Sequence, residues 1–388
     1  MDTRLASRLK KINPSRTLAI VSKAKKLESE GFDIVNLAAG EPDFDTPNFI
    51  KDAGIEAIKS GFTKYTPTSG TQELKEIICQ KLKKDNSLEY ACNQIVVSCG
   101  AKHSIFNTLF VLINPQDEVL IPSPYWVSYP EMVNLCEGTP KFIQTRRENS
   151  FKITPEDLES NLSPKTKVFI LNSPSNPSGS VYRESELRKI AEICVKNKIF
   201  VISDEIYEKL IYDDLKHFSI ASFNKEIYDL TITINGFSKS YSMTGWRLGY
   251  LASPLNIAEA VSRFQDHSTS NANSITQKAA VAALNSPAGF SEKIRRQFQE
   301  RRDYCIKRLK AIETINPVVP QGAFYIFCDI SKTNLKSAEF ASRLLDEKYV
   351  SLIPGDSFGR DDYIRISFAT SLEQLKKGMD RLQEFLKK

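Results

Sequence analysis

Short runs of apolar and β-branched residues recur through the middle of the chain, at 95–97, 118–121, 141–145, 168–171, 200–203, 230–234 and 248–252. Most are too short for helices and none alternates strictly, the pattern of strands covered on both faces of a sheet. Helical periodicity fills several of the intervals. In 184–196, ESELRKIAEICVK, the stripe Leu187, Ile190, Ala191, Cys194 and Val195 is apolar and the opposite side is charged. Alternation of this kind over roughly 46–290 predicts an α/β sheet flanked by helices. Beyond it, 291–314 reads as one long helix, followed by a link holding Pro317 and Pro320, a strand at 323–328, helices, and a strand at 363–368. The last part of the chain therefore reads as a smaller α+β unit.

Composition narrows the chemistry. The 388 residues carry 53 Lys and Arg against 47 Asp and Glu, a net charge of +6 without long blocks of one sign. The most basic stretch, 293–310, is interrupted by Glu300 and Asp303 and reads as a solvated helix face, so no nucleic-acid surface is expected. The seven cysteines include no C-x-x-C pair, which suggests neither a disulfide framework nor a thiolate zinc site and fits reduced thiols in a cytoplasm. His103, His217 and His267 are too scattered for H-x-x-x-H metal binding or a histidine-based triad, so no metal is expected. No window approaches the ~18 apolar residues of a membrane span. The basic stretch MDTRLASRLKKINPSR lacks the apolar core of a secretory signal and reads as an amphipathic start to the fold rather than a transit peptide.

In open α/β sheets ligands bind beyond the carboxyl ends of the strands. Those positions hold Gly100, Ala101 and Lys102 after the first run, Tyr125 and Trp126 after the second, and Asn172 through Gly179 after the fourth. Asp204 and Tyr207 follow the fifth; Ser238 and Lys239 follow the sixth, with Trp246 and Arg247 close behind. An aromatic plate, a carboxylate, a phenol, an amide, a lysine, an arginine and a small-residue turn thus share one sheet edge. A flat, phosphorylated nitrogen-heteroaromatic aldehyde would require these groups: the amine to form a Schiff base, the carboxylate to keep the ring nitrogen protonated.

Seven fragments make the likeness specific: GEPDFDTP (40–47), KYTPTSG (64–70), SPYWVSYPEM (123–132), NSPSNPSG (172–179), SDEIY (203–207), SKSYSMTGWRLGY (238–250) and GAFY (322–325). On them the chain resembles the aspartate-aminotransferase family of fold-type I pyridoxal-phosphate enzymes, the class I/II aminotransferases, from Asn13 to Arg365. The resemblance implies a mostly parallel seven-stranded sheet in a large cofactor domain, 46–290, and a small domain built from 1–45 and 291–388. It implies pyridoxal 5′-phosphate as cofactor, with Lys239 as the Schiff-base lysine that also moves the proton from substrate Cα. Asp204 matches the carboxylate facing the ring nitrogen; Tyr207 and Asn176 match the partners of the ring's phenolic oxygen. Trp126 matches the plate stacked on the ring. Gly100, Ala101 and Lys102 match the turn whose backbone N–H groups take the phosphate, and Arg247 its arginine. Tyr65 matches a tyrosine reaching the phosphate of a neighbouring subunit, which implies a homodimer with shared sites.

Substrate positions carry over likewise. Arg365 matches the arginine that grips the α-carboxylate, a task for a planar two-pronged donor, and Gly40 the backbone beside it. Lys102 matches the second cation a dicarboxylic substrate needs, with Ser15 and Thr17 near the substrate side chain. Three positions depart from the pattern. Gly236 replaces a phosphate-binding hydroxyl and leaves the part of Ser238 open. Ala101 replaces a glycine and requires a negative φ. Asn13 stands where relatives that also aminate prephenate carry lysine, with Arg16 as a nearby alternative charge. The resemblance implies transfer of an amino group between L-aspartate and 2-oxoglutarate by a ping-pong mechanism. The alternatives are a prephenate or aromatic aminotransferase, a carbon–sulfur β-lyase, and, outside the enzymes, a transcription regulator, for which the chain offers no helix-turn-helix ahead of residue 13.

Overall fold

The computed structural model describes residues 6–12 and 16–387, the side chains at 7, 8 and 16–19 excepted. Seven strands form the principal sheet: β1 Ile95–Ser98, β2 Glu118–Ser123, β3 Thr139–Gln144, β4 Thr166–Asn172, β5 Phe200–Asp204, β6 Thr231–Gly236 and β7 Gly249–Ala252. Their order is β1-β7-β6-β5-β4-β2-β3. Only β7 runs antiparallel to its neighbours; the β3, β2, β4, β5 and β6 pairings are all parallel. The carboxyl ends of six strands therefore share one edge with the start of β7. Seven expected strands are seven observed ones, each shifted by a residue or two. β3 begins earlier than its apolar run because an edge strand tolerates Pro140.

Both faces of the sheet are covered, which is why its runs are continuous rather than alternating. In β4, Val168 and Ile170 join a cluster with Ile105, Leu109 and Met132, whereas Phe169 and Leu171 join another with Leu187, Ile190 and Cys194. The stripe read from 184–196 is the buried side of helix Glu184–Asn197, with Ile193 added and Val195 only partly covered. Fully burying such an aliphatic side chain contributes about 1.5–3 kcal/mol.

A second sheet joins Asn316–Pro317, Tyr325–Asp329, Ile353–Pro354 and Tyr363–Ser367, all antiparallel. Val35–Asn36 pairs in parallel with Val350–Ser351, so the first and last parts of the chain meet. The long helix is Phe290–Lys310; it stops short of 314 because the chain turns to put Ile312 and Ile315 into the core with Phe298, Phe324 and Ile366. Ile206, Tyr207 and Leu210, just past β5, pack into that same core and bring the sheet edge against the second sheet.

Gly249 is required at the junction. A Cβ there would lie 2.4 Å from the Ala101 nitrogen and 2.6 Å from the Gly100 carbonyl carbon, both backbone atoms that cannot swing aside. Gly249→Ala is therefore expected to lower stability by about 1–3 kcal/mol. Gly245→Ala, with no atom within 4 Å of its added Cβ, is expected to leave it unchanged; denaturant unfolding of the two variants checks both.

Candidate active site

A cavity of about 390 Å³ opens at the shared edge. Gly40, Ala101, Lys102, Trp126, Asn176, Asp204, Tyr207, Ser238, Lys239, Arg247 and Arg365 all line it. Gly100 lies directly beneath, at the N-cap of helix Ala101–Leu112 with φ 95°. Tyr65 does not line it and stands 92% exposed. Ser15 and Asn13 lie outside the described residues, as does the side chain of Thr17.

Period-two alternation at the end of β5 turns Asp204 into the cavity, where it is buried. Its Oδ2 accepts a 2.6 Å hydrogen bond from the Tyr129 hydroxyl and its Oδ1 one from the Ile206 N–H at 3.3 Å. Burial raises its pKa to about 6 against those two bonds. Tyr207 follows one turn on, its hydroxyl 3.0 Å from that of Tyr325; burial holds the Tyr207 phenol well above its ordinary range and raises that of Tyr325.

Lys239 follows β6 and donates to the Gly40 carbonyl. Burial lowers its ammonium to about 8; Glu41 and Asp204 oppose the change and Arg365 and Arg247 assist it. About a tenth of this amine is thus neutral near neutrality, far more than of an ordinary lysine. Arg365, on Tyr363–Ser367, is buried and donates from Nη1 to Asn176 Oδ1 at 3.1 Å and from Nη2 to the Ala38 carbonyl at 2.9 Å. Its Cζ lies 4.2 Å from the Tyr325 ring centre. Burial lowers its pKa, no carboxylate pairs with it among the described residues, and its Nε has no partner there.

At the other end, the first amides of Ala101–Leu112 and the Arg247 guanidinium meet. A Cβ on Gly100 would fall 2.8 Å from Arg247 Nη2, so only glycine lets the arginine close over the turn. Arg247 donates to the Thr244 carbonyl at 3.0 Å, leaving the guanidinium without a carboxylate among the described residues. Ala101 heads the helix with a helical, negative φ, as its methyl demands. Gly236 is tightly packed: a Cβ would lie 3.1 Å from Gly249 Cα and 3.2 Å from the Leu248 carbonyl oxygen, so a larger residue fits only if the neighbouring strand gives by a few tenths of an ångström. Lys102 stands 5.0 Å from the Trp126 ring centre; lost solvation, then Arg247, lowers its pKa.

Sequence reasoning assigned no task to Tyr129, Asn172, Tyr325, Glu41 or Thr244, all of which line the cavity. Tyr129 lies in the first turn of helix Ser128–Leu135 with its N–H on the Trp126 carbonyl at 3.0 Å, and the two rings meet edge to face. Asn172 accepts from the Asn176 N–H at 2.8 Å and donates to the Asp204 carbonyl at 3.0 Å, tying two strand ends together. The Thr244 hydroxyl donates to Glu41 at 2.7 Å across 203 residues, which no local pattern announces.

The family model for aminotransferase class I and II matches residues 33–382. The chain belongs to this family. Among its relatives is an aspartate aminotransferase of Bacillus sp. (strain YM-2), 47% identical, with all of both chains covered. A probable aspartate/prephenate aminotransferase of Aquifex aeolicus is 44% identical over 98% of each chain. The crystal structure of the aspartate aminotransferase from Rhizobium meliloti superposes with a TM-score of 0.95 at 38% identity, over 98% of each chain. The α/β fold of this aminotransferase is thus that of solved family members.

Asp204 carries a pH signature. Its folded pKa of about 6 lies above the 3.8 of an ordinary aspartate, so its contribution to the stability of the protein without ligand is present at acid pH and is lost as pH rises through about 6. Asp204→Asn is expected to be more stable than wild type at about pH 8 by roughly 2–3 kcal/mol, the difference shrinking towards about pH 4. Urea unfolding of both proteins at the two pH values measures it.

Proposed function

We propose that this aminotransferase moves the amino group of L-aspartate to 2-oxoglutarate, giving oxaloacetate and L-glutamate, with pyridoxal 5′-phosphate as its cofactor. The observation that carries the reading is Arg365: a buried guanidinium without a carboxylate partner among the described residues, in one cavity with a lysine amine and a buried carboxylate. Such a charge is costly to bury alone and supplies a ready grip for a substrate carboxylate.

The residues fit the cofactor's chemistry at both ends. A helix N-terminus, a glycine turn that a Cβ would block and the free Arg247 guanidinium suit a phosphate. Asp204, at about 6 and in no ion pair among the described residues, suits a protonated ring nitrogen and would be held ionised by it. When bound, the cofactor supplies a carbon that reversibly takes an amino group and a ring that withdraws electrons. Trp126 offers a flat face for the ring, and Tyr207 and Asn176 present a phenol and an amide for its phenolic oxygen. Lys239 Nζ, lowered to about 8, anchors the cofactor and, once released, takes up the proton at substrate Cα. Arg365 and the Gly40 backbone orient the α-carboxylate. Lys102, at the rim beyond Trp126, takes the distal carboxylate of aspartate or 2-oxoglutarate.

In this reading residues 46–290 carry the cofactor, and 1–45 with 291–388 bring in Arg365 and Gly40. Tyr65, exposed in the single chain, supports a homodimer in which it completes the neighbour's phosphate site. No helix among the described residues is long and apolar enough to cross a membrane, and free thiols support a cytoplasmic setting. Prephenate is the second acceptor to consider, because relatives such as that of Aquifex aeolicus carry it in their names; Asn13 in the sequence stands against it.

Half-reactions with single amino acids test the assignment: aspartate is expected to react fastest, and faster turnover of alanine, phenylalanine or cystathionine would sink it. Lys239→Ala is expected to remove both the visible absorbance and the activity. Lys102→Ala should weaken aspartate by about 1.5–3 kcal/mol in kcat/KM, roughly ten- to hundredfold, while sparing monocarboxylic amino acids; equal losses would reassign Lys102.

A further inference from the structure

The turn that follows β5 has two working faces. Asp204 and Tyr207, three residues apart, point into the cavity. Glu205 and Glu208, also three apart, point the opposite way into buried polar surroundings. The turn is closed by the Glu208 N–H donating to the Glu205 carbonyl at 2.9 Å and by Leu210 N–H to the Tyr207 carbonyl at 2.8 Å.

On the back face Glu205 accepts from Ser203 at 2.8 Å through Oε1, and through Oε2 from Ser219 at 2.6 Å, His217 Nε2 at 2.8 Å and Asn86 at 3.1 Å. Asn86, at the end of helix Gln72–Asn86, also donates to Glu208 at 2.8 Å. Lys81, one turn earlier on that helix, pairs with the other oxygen of Glu208. Glu205, Glu208 and His217 lie close enough to suggest a cation cage, but the Lys81 ammonium already neutralises Glu208. The cluster is a charge-paired network that joins the helix, the strand end and the segment at 217–219.

We propose that Glu205 is a positioning residue: by locking the back of the turn to helix Gln72–Asn86 and to the segment at 217–219, it fixes where Asp204 and Tyr207 present their carboxylate and phenol in the cavity. The Asp204 backbone is paired within the sheet and its carbonyl accepts from Asn172, but on the front face the side chains add few ties: Asp204 has one phenol and one N–H, and Tyr207 one hydroxyl. The tether from Glu205 is adjacent in sequence to the carboxylate it aims, so a shift on the back face is passed to Asp204 through a single peptide unit. The role rests on the cofactor reading given above.

The test uses the full chain stripped of cofactor, with pyridoxamine 5′-phosphate as a non-covalent probe whose binding is followed by tryptophan fluorescence. Glu205→Gln keeps the shape and removes the charge that the four donors require; Ser219→Ala removes one donor and leaves the charge. Glu205→Gln is expected to weaken probe binding about tenfold or more and to lower kcat for aspartate about ten- to hundredfold. KM for aspartate should change by less than about threefold, because Arg365 and Lys102 are untouched. Ser219→Ala should shift binding and kcat in the same direction by less, and it carries the test alone if Glu205→Gln does not fold. A merely structural role would lower the unfolding midpoint while leaving probe affinity and kcat within about twofold of wild type, and that result in a folded variant overturns the proposal. A rise in KM with kcat preserved also overturns it. Wild-type protein that fails to bind the probe overturns the cofactor reading itself, and this proposal with it.

Discussion

A carboxylate and a guanidinium, both buried in one cavity and paired with no opposite charge among the described residues, set the terms for the rest of the structure. Asp204 has only a phenol and a backbone N–H; Arg365 has an amide oxygen and a backbone carbonyl. Keeping such groups dry costs folding free energy, and a protein retains them when a ligand brings the missing charges. The covered parallel sheet, the glycine junction under Ala101 and the second sheet packed over the edge are what make so costly an arrangement rigid.

The ladder of charges along the cavity follows the same logic. Arg247 with the helix start, Lys102, Lys239 and Arg365 line one cavity, with Asp204 a buried carboxylate among them. Burial, helped by repulsion from Arg365 and Arg247, lowers Lys239 to about 8, so the dry setting that favours bound anions also frees a nucleophilic amine. Glu41, held by Thr244, moderates that effect.

Much of this was legible in the chain. Seven apolar runs marked seven strands because burial on both faces erases alternation, and residues after five of those runs were the ones that line the cavity. What was missed were partners of those residues. The hydrogen bond from the Tyr129 hydroxyl to Asp204 spans 75 positions and leaves no local trace in the sequence. Glu205 sat inside a recognised fragment without a task, since its partners come from 86, 217 and 219. Gly236 looked like a lost contact; the structure adds that its neighbours Gly249 and Leu248 stand close against it.

Local periodicity is a property of neighbouring residues, which is why strands, helix stripes and the kinds of group at each strand end were determined by the sequence alone. The joining of Arg365 to Ala38 across 327 residues and to Asn176 across 189 was not. Those contacts exist only after separate layers pack, because a hydrogen bond between distant segments needs the backbone of each to be fixed by burial elsewhere. The tertiary structure decided that β7 runs against the sheet, that Tyr65 faces solvent in the single chain, and that Asp204 and Glu205, adjacent in the chain, serve opposite faces of one turn.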